Sequence, residues 1–143
     1  MSWRHPVFVF LISALACVPA ASEEAGVSVR GSWIREAPPG MTMMAGYMEL
    51  RNHTSRPQVL VAASSSEFES VMIHRTMVKD GMAGMAHASQ IELAPNASVI
   101  FAPGGYHLML MKPKRALRAG DPVVVNLEFR GGLVLPVTFE VRK

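Results

Sequence analysis

The residues in this chain whose types can do chemistry are thioethers and imidazoles. Among 143 residues there are 11 Met and 5 His, against one Cys. Their spacing matters as much as their number. In extended backbone, residues two apart point to the same side, so His107, Met109 and Met111 share one face while Leu108 and Leu110 share the other. The same alternation in Ser70 to His74 sets Met72 and His74 together, opposite Val71 and Ile73. The leucines make a core face, and an imidazole and two thioethers stand in a row behind them. Between the two segments runs Arg75 to Ala88 (RTMVKDGMAGMAHA), which carries Met77, Met82, Met85 and His87 among small residues and has little apolar periodicity. It is expected to be an irregular loop that either folds back as a soft lid or binds something through sulfur.

Thioether and imidazole are neutral donors, and thioether sulfur is soft, so a His2Met2 set selects Cu(I) over Zn(II), Ca(II) or Mg(II). Such a set holds the ion without adding negative charge. That favours a carrier, which must release its cargo to a thiolate site, over a catalyst. Structural uses of the same residues compete with this reading. Met fills irregular cores, and Met48 and Met72 are expected in or near one. Met41, Met43 and Met44 follow a Pro-Pro-Gly turn and either shield a nearby site or pack at an edge. His53, between Asn52 and Thr54, reads as a solvated turn residue, and the role of His87 is open.

The N-terminus reads as an address. Arg4 and His5 precede the apolar run Pro6 to Val18, followed by small residues and then Glu23 and Glu24. This is the order of a secretory signal, and the run is too short to span a bilayer comfortably. Cleavage before Ala21 leaves residues 1–20 as signal and 21–143 as one domain, with no membrane span after removal. Cys17 lies inside the signal, and Ala14 stands where a lipoprotein signal wants Leu, so lipid anchoring at Cys17 is not expected. The mature chain then has no cysteine in an oxidising compartment, hence no disulfide, no thiolate ligand and no His2Cys blue-copper set.

The elements that must position these side chains read as strands. Alternating or apolar runs occur at Val27 to Arg35, Met44 to Leu50, Gln58 to Ala63, Ser70 to His74, Gln90 to Leu93, Ser98 to Phe101, His107 to Met111, Val123 to Phe129 and Leu133 to Val141. Turn signals such as Ala37-Pro38-Pro39-Gly40, Pro103-Gly104-Gly105 and Gly131-Gly132 separate them. Short strands at this spacing predict an all-β, antiparallel sandwich or barrel without helices. The net charge of +3 comes from 14 Lys+Arg spread among 11 Asp+Glu, with no basic run, which excludes a nucleic-acid role. No motif supplies a Ser-His-acid set or a carboxylate pair, so an enzyme is not expected.

From about Val27 to Val141 the sequence resembles the periplasmic copper chaperones of the PCuAC family. The resemblance rests on GSWIREAPPG followed by AGYMELRN, on HRTMVKDGMAGM and on PGGYHLMLMKPKRALRAGDPV. That family's copper motif is a His, ten residues, a Met, twenty-one residues, then His-x-Met. Here His74, Met85, His107 and Met109 match it at every step. The resemblance implies a single-domain, cupredoxin-like Greek-key β-sandwich holding one Cu(I) on those four residues. It settles on Met85 rather than Met77 or Met82, and on Met109 rather than Met111. It also implies delivery of copper to the binuclear copper centre of cytochrome c oxidase, directly or with a thiol-containing partner chaperone. A His- and Met-rich extension found in some relatives is expected to be absent here, as is thiol reductase activity. Two other readings stand beside it: a copper buffering or resistance protein that never loads an oxidase, and a metal-free β-sandwich interaction module.

Overall fold

The computed structural model describes residues 26–143; the expected signal segment and Cys17 lie outside the described residues. The chain forms ten strands: β1 (Val27–Arg35), β2 (Met43–Asn52), β3 (Gln58–Ser64), β4 (Phe68–Lys79), β5 (Met82–His87), β6 (Ile91–Leu93), β7 (Ser98–Phe101), β8 (Tyr106–Pro113), β9 (Pro122–Phe129) and β10 (Val134–Arg142). Among the described residues there is no helix, and none therefore long and apolar enough to cross a membrane.

All ten strands belong to one hydrogen-bonded sheet in the order β5-β4-β8-β7-β2-β1-β10-β9-β3-β6. A further pairing of β3 with β4, through Ala63 opposite Val71, joins the sheet back on itself into a barrel-like form. Closure leaves fewer bare backbone edges than two separate sheets would. Most neighbours are antiparallel; β1 with β10 and β7 with β8 are parallel. β7 and β8 lie end to end along β2, with Met48 to Arg51 facing β7 and Met43 to Gly46 facing β8.

Period-two alternation drives each strand into this arrangement. Along β8, Leu108 and Leu110 are fully buried, and along β9 Val123, Val125, Leu127 and Phe129 point inward while the residues between them do not. Gly46 brings β2 close to this layer. A Cβ there would stand 3.2 Å from Leu110 Cδ1 and 3.4 Å from Leu108 Cβ, close enough that the Leu110 side chain would have to give way by a few tenths of an ångström.

One expectation is corrected. Arg75 to Ala88 is not an irregular loop. β4 runs on to Lys79 and turns back through Asp80-Gly81 into β5, with Lys79 opposite Met82 and His74 opposite His87. Asp80 and Gly81 have φ of 52° and 76°, the positive values that a two-residue hairpin turn of the right twist requires and that Asp-Gly supplies. The small residues of β5 weaken its apolar pattern because it has no core to face: Met82 through Met85 are all exposed.

Candidate metal centre

The outer face of three adjacent strands carries the residues singled out in the sequence. On β4 and β8 the register sets His74 opposite His107 and Met72 opposite Met109. β2 continues the rows, with Ala45 opposite Met109 and Met43 opposite Met111. On the other side of β4, the hairpin adds His87 opposite His74, and Met85 opposite Thr76. Met85 and His74 therefore share a face, one register step apart. The small side chain of Ala45 leaves the space over Met109 open.

Met85, His107, Met109 and Met43 border one cavity of about 130 Å³. His74 is their neighbour, its ring centroid 5.9 Å from that of His107 and 5.8 Å from that of His87. Thus three of the expected set, Met85, His107 and Met109, border the cavity, and His74 adjoins it through His107. Met77 and Met82 do not, because alternation along the hairpin turns them to the opposite face. Met111 lies on the same face but one row farther from the histidines.

His107 is unusual in its surroundings. Among the described residues the only buried polar or charged side chains are Asn52 and His107, the latter 5% exposed. Asn52 is fully used: its Nδ2 donates to Arg56 O at 2.7 Å and to Leu93 O at 3.1 Å, and its Oδ1 accepts from Thr54 N at 2.9 Å. It ties two loops together. His107 uses one nitrogen only. Nδ1 donates to Gly105 O at 3.2 Å, since a carbonyl can only accept, and in the neutral ring this leaves a lone pair on Nε2. That Nε2 and His74 Nδ1 are buried with no hydrogen-bond partner. Orphaned buried nitrogens carry a desolvation cost, and imidazoles that ligate a metal commonly donate their other ring N–H to a backbone carbonyl, the arrangement His107 makes with Gly105.

Burial, then the like charges of His107 and His87, hold His74 below the ordinary imidazole pKa. It is therefore neutral at pH 7, the form that can donate a lone pair. Among the described residues no three of His, Cys, Asp and Glu converge at metal-binding spacing. The side-chain donors that join the imidazoles on this face are thioethers, which favour soft cations. His53 is bound instead to Ser28, Nε2 to Oγ at 2.6 Å, away from this face.

A family profile described as LpqE-like, of lipoproteins, matches residues 27–141. A lipoprotein-named relative, Lxx21020 of Leifsonia xyli subsp. xyli, is 36% identical over 118 residues, covering 82% of this chain and 70% of its own length. RP573 of Rickettsia prowazekii is 33% identical over 86 residues, 59% of this chain and 48% of its own. Among solved structures, the Cu(I) form of DR1885 from Deinococcus radiodurans shares 31% identity at a TM-score of 0.69, over 87% of this chain and 83% of that one. The copper-bound PCuAC domain of PmoF2 shares 25% identity at a TM-score of 0.69, over 82% of this chain and 92% of that one.

Proposed function

The chain belongs to the LpqE-like family, that of the PCuAC domains, and from that membership we propose that it is a periplasmic copper chaperone carrying one Cu(I) on His74, Met85, His107 and Met109. The observation that carries this reading is the buried, unpartnered Nε2 of His107 on the wall it shares with Met85 and Met109. An imidazole fixed by Gly105, a second neutral imidazole and two thioethers make a soft donor set without net charge. Cu(I) suits it by softness, and the absence of anionic donors keeps release to a thiolate site downhill.

In this reading the acceptor is the binuclear copper centre on the copper-bearing subunit of cytochrome c oxidase, reached directly or through a thiol-containing partner chaperone. Cargo leaves by exchange at the exposed side, where Met85 and Met43 stand, while His107 stays anchored from below. The closed sheet serves as the cupredoxin-like scaffold, its Leu, Val and Phe core holding β4, β8 and β2 in fixed register. Residues 1–20 act as the export signal that delivers the domain to the periplasm. The lipoprotein names of relatives support export in general, and mass measurement of the mature N-terminus distinguishes cleavage near Ala21 from anchoring at Cys17.

The test is a Cu(I) titration of the protein against a chromophoric chelator, wild type beside His107→Ala. One equivalent held by wild type and lost in the variant is expected. No competition by wild type would overturn the reading. Transfer of the bound ion to an oxidase copper domain then separates a chaperone from a buffering protein, which would keep it.

A further inference from the structure

Met77 and Met82 stand on the face of the β4–β5 hairpin opposite the one that carries His74 and Met85. Met77 faces Gly84 and Met82 faces Lys79, so the two methionines are diagonal cross-strand neighbours, a separation that long side chains bridge. Gly84 presents no side chain between them. They are 52% and 74% exposed, and Met85 is 64% exposed. No core explains them, since the hairpin projects beyond the barrel and the residues around its turn are exposed on both strands.

Two depressions meet at this hairpin. One of about 490 Å³ is bordered by Met77, Lys79, Asp80, Met82 and Met85. The other is the cavity that Met85 shares with His107 and Met109. Met85 is common to both walls.

We propose that Met77 and Met82 form a second, transient site for a soft d10 monocation, Cu(I), and that Met85 relays the ion between this outer pair and the central site. The inference rests on the central site holding Cu(I) as argued above. Two thioethers give a neutral, low-coordinate hold, with Lys79 and Asp80 bordering it in opposite charge, so the site loads and unloads rather than stores. The transfer is ligand exchange. The copper–sulfur bonds to Met77 and Met82 break as bonds to the sulfurs of Met85 and Met109 and to ring nitrogens of His74 and His107 form, copper remains Cu(I), and no electron or proton moves.

The experiment uses the protein carrying 13C-methyl methionine. Ag(I), a redox-inert d10 ion, is added to a His107→Ala, Met109→Leu variant whose central site is disabled. Shifts at the Met77 and Met82 methyl signals are expected, and they disappear when Met77→Leu and Met82→Leu are added. In the otherwise wild-type protein, the same two leucine replacements slow stopped-flow uptake of Cu(I) from a chelator by about tenfold, with final central occupancy unchanged. Unmoved Met77 and Met82 methyls, or unslowed uptake, would overturn the proposal. Slowing that appears only when copper comes from another protein also overturns it, because the surface is then a protein contact. Shifts at the outer pair in a wild-type protein that never fills its central site would instead sink the central reading and leave the outer site standing.

Discussion

His74 and Met85 lie diagonally across the β4–β5 hairpin on one face, with His74 opposite His87 and Met85 opposite Thr76. The ten residues between them are the length of chain needed to run past Thr76, turn at Asp80-Gly81 and come back one step short of His87. A motif that looks like a spacing in sequence is a register in space. What fixes it is the turn, because one residue more or fewer would swing Met85 to the other face.

Gly81→Val is therefore expected to weaken Cu(I) binding although residue 81 touches no donor. Its φ of 76° costs a β-branched residue about 1–2 kcal/mol. The hairpin lies outside the core, so the thermal midpoint should barely move while β5 amides exchange faster with solvent. A large fall in midpoint would show that the hairpin supports the barrel.

Replacing His107 or Met109 by Ala should lower Cu(I) affinity by more than about 100-fold, beyond the range for loss of a supporting partner. Replacing Met111 or His87 should cost much less, since Met111 sits a row away and His87 borders His74 rather than the shared cavity. Chelator competition on the four variants decides. Equal losses from all four would point to a diffuse Met/His patch.

The loaded protein should be colourless and without a Cu(II) resonance signal, as Cu(I) is d10 and no thiolate is present in the described residues. Optical and resonance spectra of the purified copper form check this, and an intense blue band would contradict the donor set.

For the metal-free protein, stability should fall on the acid side. His74 has its pKa lowered in the folded state by burial first and by His107 and His87 next, so the unfolded chain binds protons more readily. The contribution is intact above the unfolded value of about 6.5 and is lost as pH falls through the folded one. Urea unfolding at about pH 7.5 and about pH 5.5 measures the drop, and in His74→Gln the drop should shrink. A pH-independent difference between the two proteins would show that His74 is not the group responsible.

Leu108→Ala tests the division between the two faces of β8. Leu108 is fully buried, so its truncation should cost about 2–5 kcal/mol of unfolding free energy. The neighbouring Met109→Ala should cost far less stability and far more copper. Calorimetry on both variants separates them.

Much of the fold was legible in period-two alternation. The expected ranges for β1 and β7 match the structure end to end, and most others fall within a residue or two, because strands with one buried face write their pattern plainly. The hairpin was missed because that pattern needs a core to write against, and Met82, Ala83, Gly84 and Met85 have none. The Asp80-Gly81 dipeptide was the signal that could have revealed it. Closure through Ala63 and Val71 had no local signature, being a single long-range bridge. That His107 and Met109 share one side of their strand, and Met72 and His74 one side of theirs, was readable from alternation; that the two strands pair to make a single face was not. That His107 anchors itself to Gly105 was not, since the bond depends on how the Pro103-Gly104-Gly105 turn presents a carbonyl.

The parallel pairing of β1 with β10, Trp33 opposite Glu140, sets an order of events for the chain as it is made. Ends so distant in sequence meet at high entropic cost, and a contact of this kind forms after the local hairpins have condensed. Until β10 arrives, β1 and β9 both lack a neighbour on that side. The newborn domain thus passes through a stage with two naked strand edges, and the speed with which its last strand docks governs how much of it escapes clumping with its siblings.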